Sequence, residues 1–410
     1  MRRMGAPLLL FAFALLLSQP LFADDLLPLQ PLLDAANKGD EVKPPAGRYR
    51  GPVYITQAIT LNGENGVIID AEGKGSVISL ESDGAVLRNL HLVNSGDSHN
   101  DIDSGIQVRG NFNVIKDNRI ENTLFGIDVG ESKSNIIRRN RISSKPYELG
   151  LRGDSIRLWY SFNNKVIDNV ITDSRDMVAW YSGDNEFSGN VVSGGRYSLH
   201  FMYSKYNLVE NNHFSKNSVG IFLMYSDGIV VRNNYIASAA GATGVGIGFK
   251  ETSGITVEQN QVLHCASGLY IDVSPFDPDL PNVIRDNLIA FNGIGIRFLN
   301  DWQGNTFTAN HFKGNIAQVV VSGAGSAGRH LWQGNFWDDY EGFDNNRDGV
   351  GDTPYELFAY ADRVWMDIGG AQFFMGSPIL EVIDFLERLA PFSDPLLLLR
   401  DQSPLIQANK

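Results

Sequence analysis

Two stretches of the chain say nearly the same thing: Ser198-Leu-His-Phe-Met-Tyr-Ser204 and Gly220-Ile-Phe-Leu-Met-Tyr-Ser226. They set Met202 and Met224 22 residues apart, with His200 two positions before the first methionine. Thioethers are soft donors and imidazole suits copper, so Met202, Met224 and His200 together form a donor set for Cu(I). The indole faces of Trp159 and Trp180 offer further support for a cation nearby. This chemistry requires residues 22 apart in sequence to be neighbours in space, which happens when 22 residues make one full coil of a repeat. The competing reading of the same residues is a stripe packed under a loop or against a partner subunit.

A second donor set lies near the C-terminus. Asp344, Asn346, Asp348, Val350 (through its carbonyl) and Asp352 occupy positions 1, 3, 5, 7 and 9 of a run with Gly349 at position 6. That is the oxygen-ligand spacing of a Ca²⁺ loop. Tyr355 stands where the bidentate Glu belongs, and no helix–loop–helix frame surrounds the run. A self-capped Asp/Asn/Gly turn without metal is the alternative. For enzymatic chemistry the candidates are Asp128 and Arg157, with Arg109 close by. An ordinary cross-strand ion pair is the preferred reading of them. His213, His264 and His311 are isolated. His264 and Cys265 are adjacent, so a strand would point them to opposite faces.

The elements that position these residues follow from a repeated Asn before a bulky apolar pair. Asn118, Asn140, Asn169, Asn190, Asn212, Asn234, Asn260, Asn287, Asn310 and Asn335 recur at a core spacing of 22, with longer gaps holding insertions. A second short strand falls between successive anchors, as in Gly126-Ile-Asp-Val and Gly246-Ile-Gly-Phe. Short strands at this period with few hairpins predict an all-β chain, a right-handed parallel β-helix over 50–340. Asn suits the left-handed corner, and stacked Asn side chains can bond from coil to coil. On the outer face, Trp159, Trp180, Met202 and Met224 then align in one column at a coil spacing of about 4.8 Å.

Both open ends of a β-helix need covering. Residues 24–49 read as an N-terminal cap with a short helix over Leu26–Ala36. Residues 341–376 read as an Asp/Gly-rich loop and C-terminal cap. In 377–410, Ser377-Pro378 opens a helix that runs to Leu389. That helix either closes the last coil or is a docking segment.

Residues 1–23 read as an export signal: Arg2 and Arg3, an apolar Leu8–Leu17 core, and a small residue at Ala23. The apolar core is too short to span a bilayer of ~30 Å. The formal net charge of −13 argues against nucleic acid. Cys265 is the only cysteine, so no internal disulfide forms.

The run Gly334-Asn-Phe-Trp-Asp-Asp-Tyr340, the Asp344–Tyr355 block, the Pro-Ala-Gly-Arg-Tyr entry at 45–49 and the coils together resemble NosD-type periplasmic proteins. That resemblance implies a β-helical accessory factor, not an enzyme. It would receive copper from a copper chaperone lipoprotein and deliver it to nitrous oxide reductase during metal-centre assembly. It would act beside an ABC transporter permease and its ATPase, and so be held at the inner membrane. The family motif itself carries no metal ligands, so the copper assignment to His200, Met202 and Met224 rests on the residues alone. A carbohydrate-active β-helix enzyme (polysaccharide lyase, hydrolase or epimerase) is the alternative.

Overall fold

The computed structural model describes residues 26–407, apart from 65, 242–243, 301, 324, 361–365, 367, 369, 371–373, 375–376 and 391–394. The export signal lies outside the described residues. The chain winds as a parallel β-helix with three faces. The first face has 14 strands, from Leu27–Pro28 to Phe336–Trp337, and the second has 12, from Val53–Ile55 to Ala317–Val321. The third has 13, from Glu41–Val42 to Leu331–Gln333. Strands in each face pair in parallel with the equivalent strand one coil away. Inward side chains form one continuous core of Ile, Val, Leu and Phe.

The Asn anchors form a buried ladder at the corner between the third and first faces. From Asn118 to Asn335, each Nδ2 donates to the Oδ1 of the anchor on the next coil at 2.9–3.0 Å. The anchor backbone N–H groups bond the same oxygens. The sequence reading gave these Asn the left-handed corner; the structure gives it to the residue before each of them. Asp117, Arg139, Asp168, Asn211, Asn233, Gln259, Asp286 and Ala309 carry φ of 52–58°. The anchor stays in ordinary backbone so that its amide can lie along the stack.

The ladder ends on a single carboxylate. Asp401 is fully buried and accepts from Gly334 N (3.1 Å), Asn335 N (3.0 Å), Asn335 Nδ2 (2.9 Å) and Trp337 Nε1 (3.3 Å). It sits at the end of strand Leu396–Asp401, which pairs antiparallel with Tyr355–Ala359. Trp332 stacks on Phe307, Trp337 on Phe312 and Tyr355 on Trp337, at 4.2–4.5 Å. The Trp332–Tyr355 block is therefore the plug of the last coils. At the other end, helix Gln30–Asp34 buries Leu33 against the first coils and is shorter than the apolar spacing predicted.

The C-terminal helix spans Pro378–Leu389, and the Ser377 hydroxyl accepts from Leu380 N. Leu380 of the helix packs against the core, and the following strand covers the last coils through buried Leu398 and Leu399. Ile379, Val382, Ile383, Phe385, Leu386 and Leu389 of this helix are exposed. No described helix is long and apolar enough to cross a membrane.

Candidate functional site

The repeated Met-Tyr-Ser triplet is a corner with three separate jobs. Each methionine ends a strand of the second face and points outward. Each tyrosine takes the left-handed turn, with φ of 45–50° at Tyr160, Tyr181, Tyr203 and Tyr225. Their rings stack coil on coil at 4.9–5.1 Å. Each serine is buried and receives the N–H of the serine before it, as in Ser204 N to Ser226 Oγ at 3.0 Å. The stacked corner holds the register of the strands that carry the methionines.

That register runs Trp159, Trp180, Met202, Met224, Lys250, Asp272, and the neighbouring outward column runs Arg157, Val178, His200, Phe222, Gly248, Tyr270. Met202 and Met224 are direct partners on adjacent coils. His200 Nε2 lies 3.1 Å from Met224 Sδ. Its Nδ1 is buried and has no hydrogen-bond partner among the described residues, and neither has Trp180 Nε1. An imidazole nitrogen in a buried site without a partner costs roughly 1–3 kcal/mol. The structure brings His200 and Met224 into contact, with Met202 beside them, and leaves the imidazole otherwise uncommitted.

His200 is 7% exposed, because two rings cover it. Tyr197 stacks on it at 4.8 Å, and Phe222 meets it edge-on at 6.4 Å. Strict alternation along the strand would turn Tyr197 inward. A β-bulge opposes Tyr197–His200 to Asp176–Val178, three residues' advance against two, and leaves Tyr197 on the outer face. Sequence alternation therefore missed Tyr197; only a gap of 21 followed by one of 22 in the anchors hinted at a local irregularity. Arg196 lies over the Tyr197 ring at 4.9 Å and pairs with Asp176. Asp176 also accepts Tyr197 N at 3.0 Å. The stack Asp176–Arg196–Tyr197–His200 orients the imidazole toward Met224.

Burial pulls the His200 pKa down from 6.5 to about 4, with Asp176 opposing the shift. The imidazole is therefore neutral at every pH above about 5, ready to act as a ligand. The unfolded chain binds this proton below about 6.5 and the folded chain only near 4, so His200 costs stability as pH falls through that window. Were His200 to ligate a metal, binding at pH 6 would displace no proton from it. Cu(I) affinity is expected to stay flat from pH 8 to about 5 and to fall only as pH approaches 4. An exposed histidine ligand would begin to lose affinity near 6.5. Competition titrations across that pH range read the difference.

Gly248 completes the wall. A Cβ on Gly248 would lie 2.4 Å from Phe222 Cδ2, so the ring leans over the glycine. Gly248→Ala is expected to displace Phe222 and admit water to His200. The His200 pKa, followed by NMR, would rise from about 4 toward 6.5, and Cu(I) affinity would drop by roughly tenfold, the lower end of losses from supporting residues.

The tryptophans adjoin the site but their ring faces are already engaged. Arg157 stands 4.9 Å over Trp159 and 5.7 Å over Trp180, and the two indoles meet edge-to-face at 6.0 Å. Toward the N-terminus the second face carries a chain of ion pairs. Asp128 joins Arg109 and Arg157 at 2.7 Å each, and Arg175 reaches Asp154 at 2.8 Å. Asp128, Asp154 and Asp176 are all buried and all paired. Burial pushes the Asp154 carboxyl up to about 6 against the pull of Arg175. The sequence reading noted Asp128, Arg157 and Arg109 but not that Asp154 and Asp176 join them. Asp128, Asp154 and Asp176 are thus each committed to arginine partners.

The other candidates separate from this site. In the loop, Asp344 oxygens accept from Asp348 N and Gly349 N, Asp348 accepts from Val350 N, and Asp352 accepts from Asn345. These are the bonds of a self-capped Asp/Asn turn. Among the described residues no three His, Cys, Asp or Glu side chains gather at one metal-sized point. Cys265 is buried, its thiol pushed up to about 11 by burial. His213 stacks on Tyr235 and His264 on Phe291.

Residues 143–342, which include the whole His200–Met224 site and the Trp332–Trp337 plug, match the family model described as periplasmic copper-binding protein (NosD). Over this stretch the chain is similar to the NosD family. A protein named "Probable ABC transporter binding protein NosD" from Stutzerimonas stutzeri is 27% identical over 398 residues, covering 89% of this chain and 85% of that one. Its namesake in Pseudomonas aeruginosa is 27% identical, covering 84% and 83%. Solved structures share the fold. A mannuronan C-5 epimerase A-module from Azotobacter vinelandii superposes with a TM-score of 0.61 at 16% identity, over 75% of this chain and 93% of that one. The catalytic domain of an α-1,3-glucanase in complex with nigerose gives 0.54 at 14% identity, over 72% and 65%. The NosD relatives are named as binding proteins; the epimerase and the glucanase show the architecture alone.

Proposed function

We propose that this chain is a non-enzymatic periplasmic carrier that receives copper as Cu(I) and delivers it to nitrous oxide reductase while that enzyme's metal centres are assembled. The observation that carries the reading is the 3.1 Å approach of His200 Nε2 to Met224 Sδ, beside Met202, in a stretch that matches a copper-binding family. The copper is cargo. Two thioethers and one neutral imidazole, with no thiolate, select Cu(I) without holding it as a thiolate cluster would. A copper chaperone lipoprotein supplies the ion and the apo-reductase takes it.

The relatives' names point to an ABC transporter. Helix Pro378–Leu389 offers a surface for its permease: Ile379, Val382, Phe385, Leu386 and Leu389 form an exposed apolar face beside the end plug. Docking there holds the carrier at the inner membrane, and the associated ATPase drives the conformational cycle.

The test is made in cells. Deleting this chain is expected to leave nitrous oxide reductase copper-depleted and inactive, with polysaccharide unchanged. The wild-type chain restores copper, and the His200→Ala/Met202→Ala/Met224→Ala variant does not. Normal copper loading without the chain contradicts the proposal.

A further inference from the structure

The first coils carry rows of like charge that the fold does not require. On the third face, Arg88, Lys116 and Arg138 are register partners on three successive coils. Around the corner, on the first face, Arg119 and Arg141 are partners in the same way, and Arg139 sits on the corner between the rows. Coils are about 4.8 Å apart, and like charges placed directly opposite destabilise a sheet.

Neighbouring carboxylates answer half of this charge. Glu41 pairs with Arg88 at 2.8 Å, Asp117 grips Arg139 at 2.7 and 2.9 Å, and Glu121 takes Arg119 at 2.6 Å together with His91. Among the described residues, no carboxylate lies within ion-pair distance of Lys116, Arg138 or Arg141. Arg138 Nε is also buried without a hydrogen-bond partner. Farther along the third face the same outward column reads Glu210, Arg232, Glu258, Arg285. Its signs alternate, with ion pairs at 2.7 and 2.5 Å. The chain neutralises this column where nothing else will, and leaves it positive on the early coils of a molecule with net charge −13.

We infer that this ridge docks an acidic segment of a partner protein. Five of its six cations are arginine, the cation enriched at protein interfaces where lysine is depleted. Their guanidinium forks match carboxylates two bonds at a time. An open groove of about 590 Å³ lies on the first-face side of the ridge, lined in part by His91, Arg119, Arg139, Arg141 and the Arg139-bound Asp117, and gives such a segment a seat. None of the strands that bear the ridge exposes a large apolar side chain, so nothing there would enter a bilayer. The ridge lies on the first and third faces and the His200–Met224 site on the second, so both can be occupied at once. The inference is independent of the copper reading.

Fluorescent poly-L-glutamate titrated into the full chain at low salt is the probe. Wild type is expected to bind it, with affinity falling steeply as salt rises. Lys116→Gln/Arg138→Gln/Arg141→Gln is expected to bind at least tenfold more weakly while its unfolding temperature holds or rises, because repulsion is relieved. Arg232→Gln, on the neutralised stretch, is expected to bind within twofold of wild type. Equal affinity in the triple variant overturns the inference, as does an equal loss in Arg232→Gln. Capture by phosphatidylglycerol vesicles that the triple variant abolishes, without poly-L-glutamate binding, would make the ridge a membrane contact and also overturn it.

Discussion

Changing Met202 and Met224 together to alanine is expected to lower Cu(I) affinity by about 100-fold or more, and His200→Ala by a similar factor. Loss of a supporting residue around a metal costs about 10–100-fold, and loss of a ligand should meet or exceed that range. The effect is large because the second face offers few substitutes. The outward neighbours of Met224 are Lys250 on the next coil and Phe222 two residues back. Neither replaces a thioether. The fold itself should survive, since Met202 and Met224 are half-exposed and outside the core cluster. A competitive Cu(I) titration against a chromophoric chelator, with circular dichroism to confirm the β-helix, separates ligand loss from unfolding. Equal affinities in wild type and double variant would remove the site while leaving the likeness to the NosD family intact.

The second large effect is on stability. Asp401→Ala is expected to cost about 3–5 kcal/mol, because it strands several buried N–H donors at about 1–3 kcal/mol each. Its carboxylate terminates the Asn ladder and holds the indole of Trp337. Removing it strands the Gly334 and Asn335 backbone donors, the Asn335 amide and the Trp337 N–H in a dry interior. It also loosens the strand Leu396–Asp401 that covers the last coil, exposing an open sheet end. Asp401→Asn keeps one acceptor oxygen and should cost less than half as much. Urea unfolding followed by tryptophan fluorescence measures both. A loss below about 1 kcal/mol for the alanine variant would mean that water serves these donors adequately.

The solenoid was legible because its physics repeats. Each Asn anchor sits where an amide must bridge two coils, so the requirement appears ten times in the sequence, and even the stacking of Met202 on Met224 follows from counting. The left-handed corner was assigned one residue late, because Asn is a common left-handed residue and the ladder hides that the anchor's amide is needed elsewhere. His200 and the two methionines could be singled out by type and spacing. Their environment could not. The Tyr197 stack depends on a bulge, a single extra residue that no composition or period announces. The closing of the last coil was hidden for another reason: Asp401 is some 66 residues from the Asn335 it serves, and no local pattern marks one aspartate in an apolar run as a cap. The Asp344–Asp352 spacing reads both ways because turns and Ca²⁺ sites ask for the same residues.

The central claim is that Cu(I) sits between sulfur and imidazole on the second face. X-ray absorption at the copper edge, on the full chain loaded with one equivalent of Cu(I), tests it most directly. The account predicts a first shell containing both sulfur and nitrogen, losing sulfur in Met224→Leu and nitrogen in His200→Ala. A shell of oxygen and nitrogen without sulfur, or one that neither substitution changes, would contradict it.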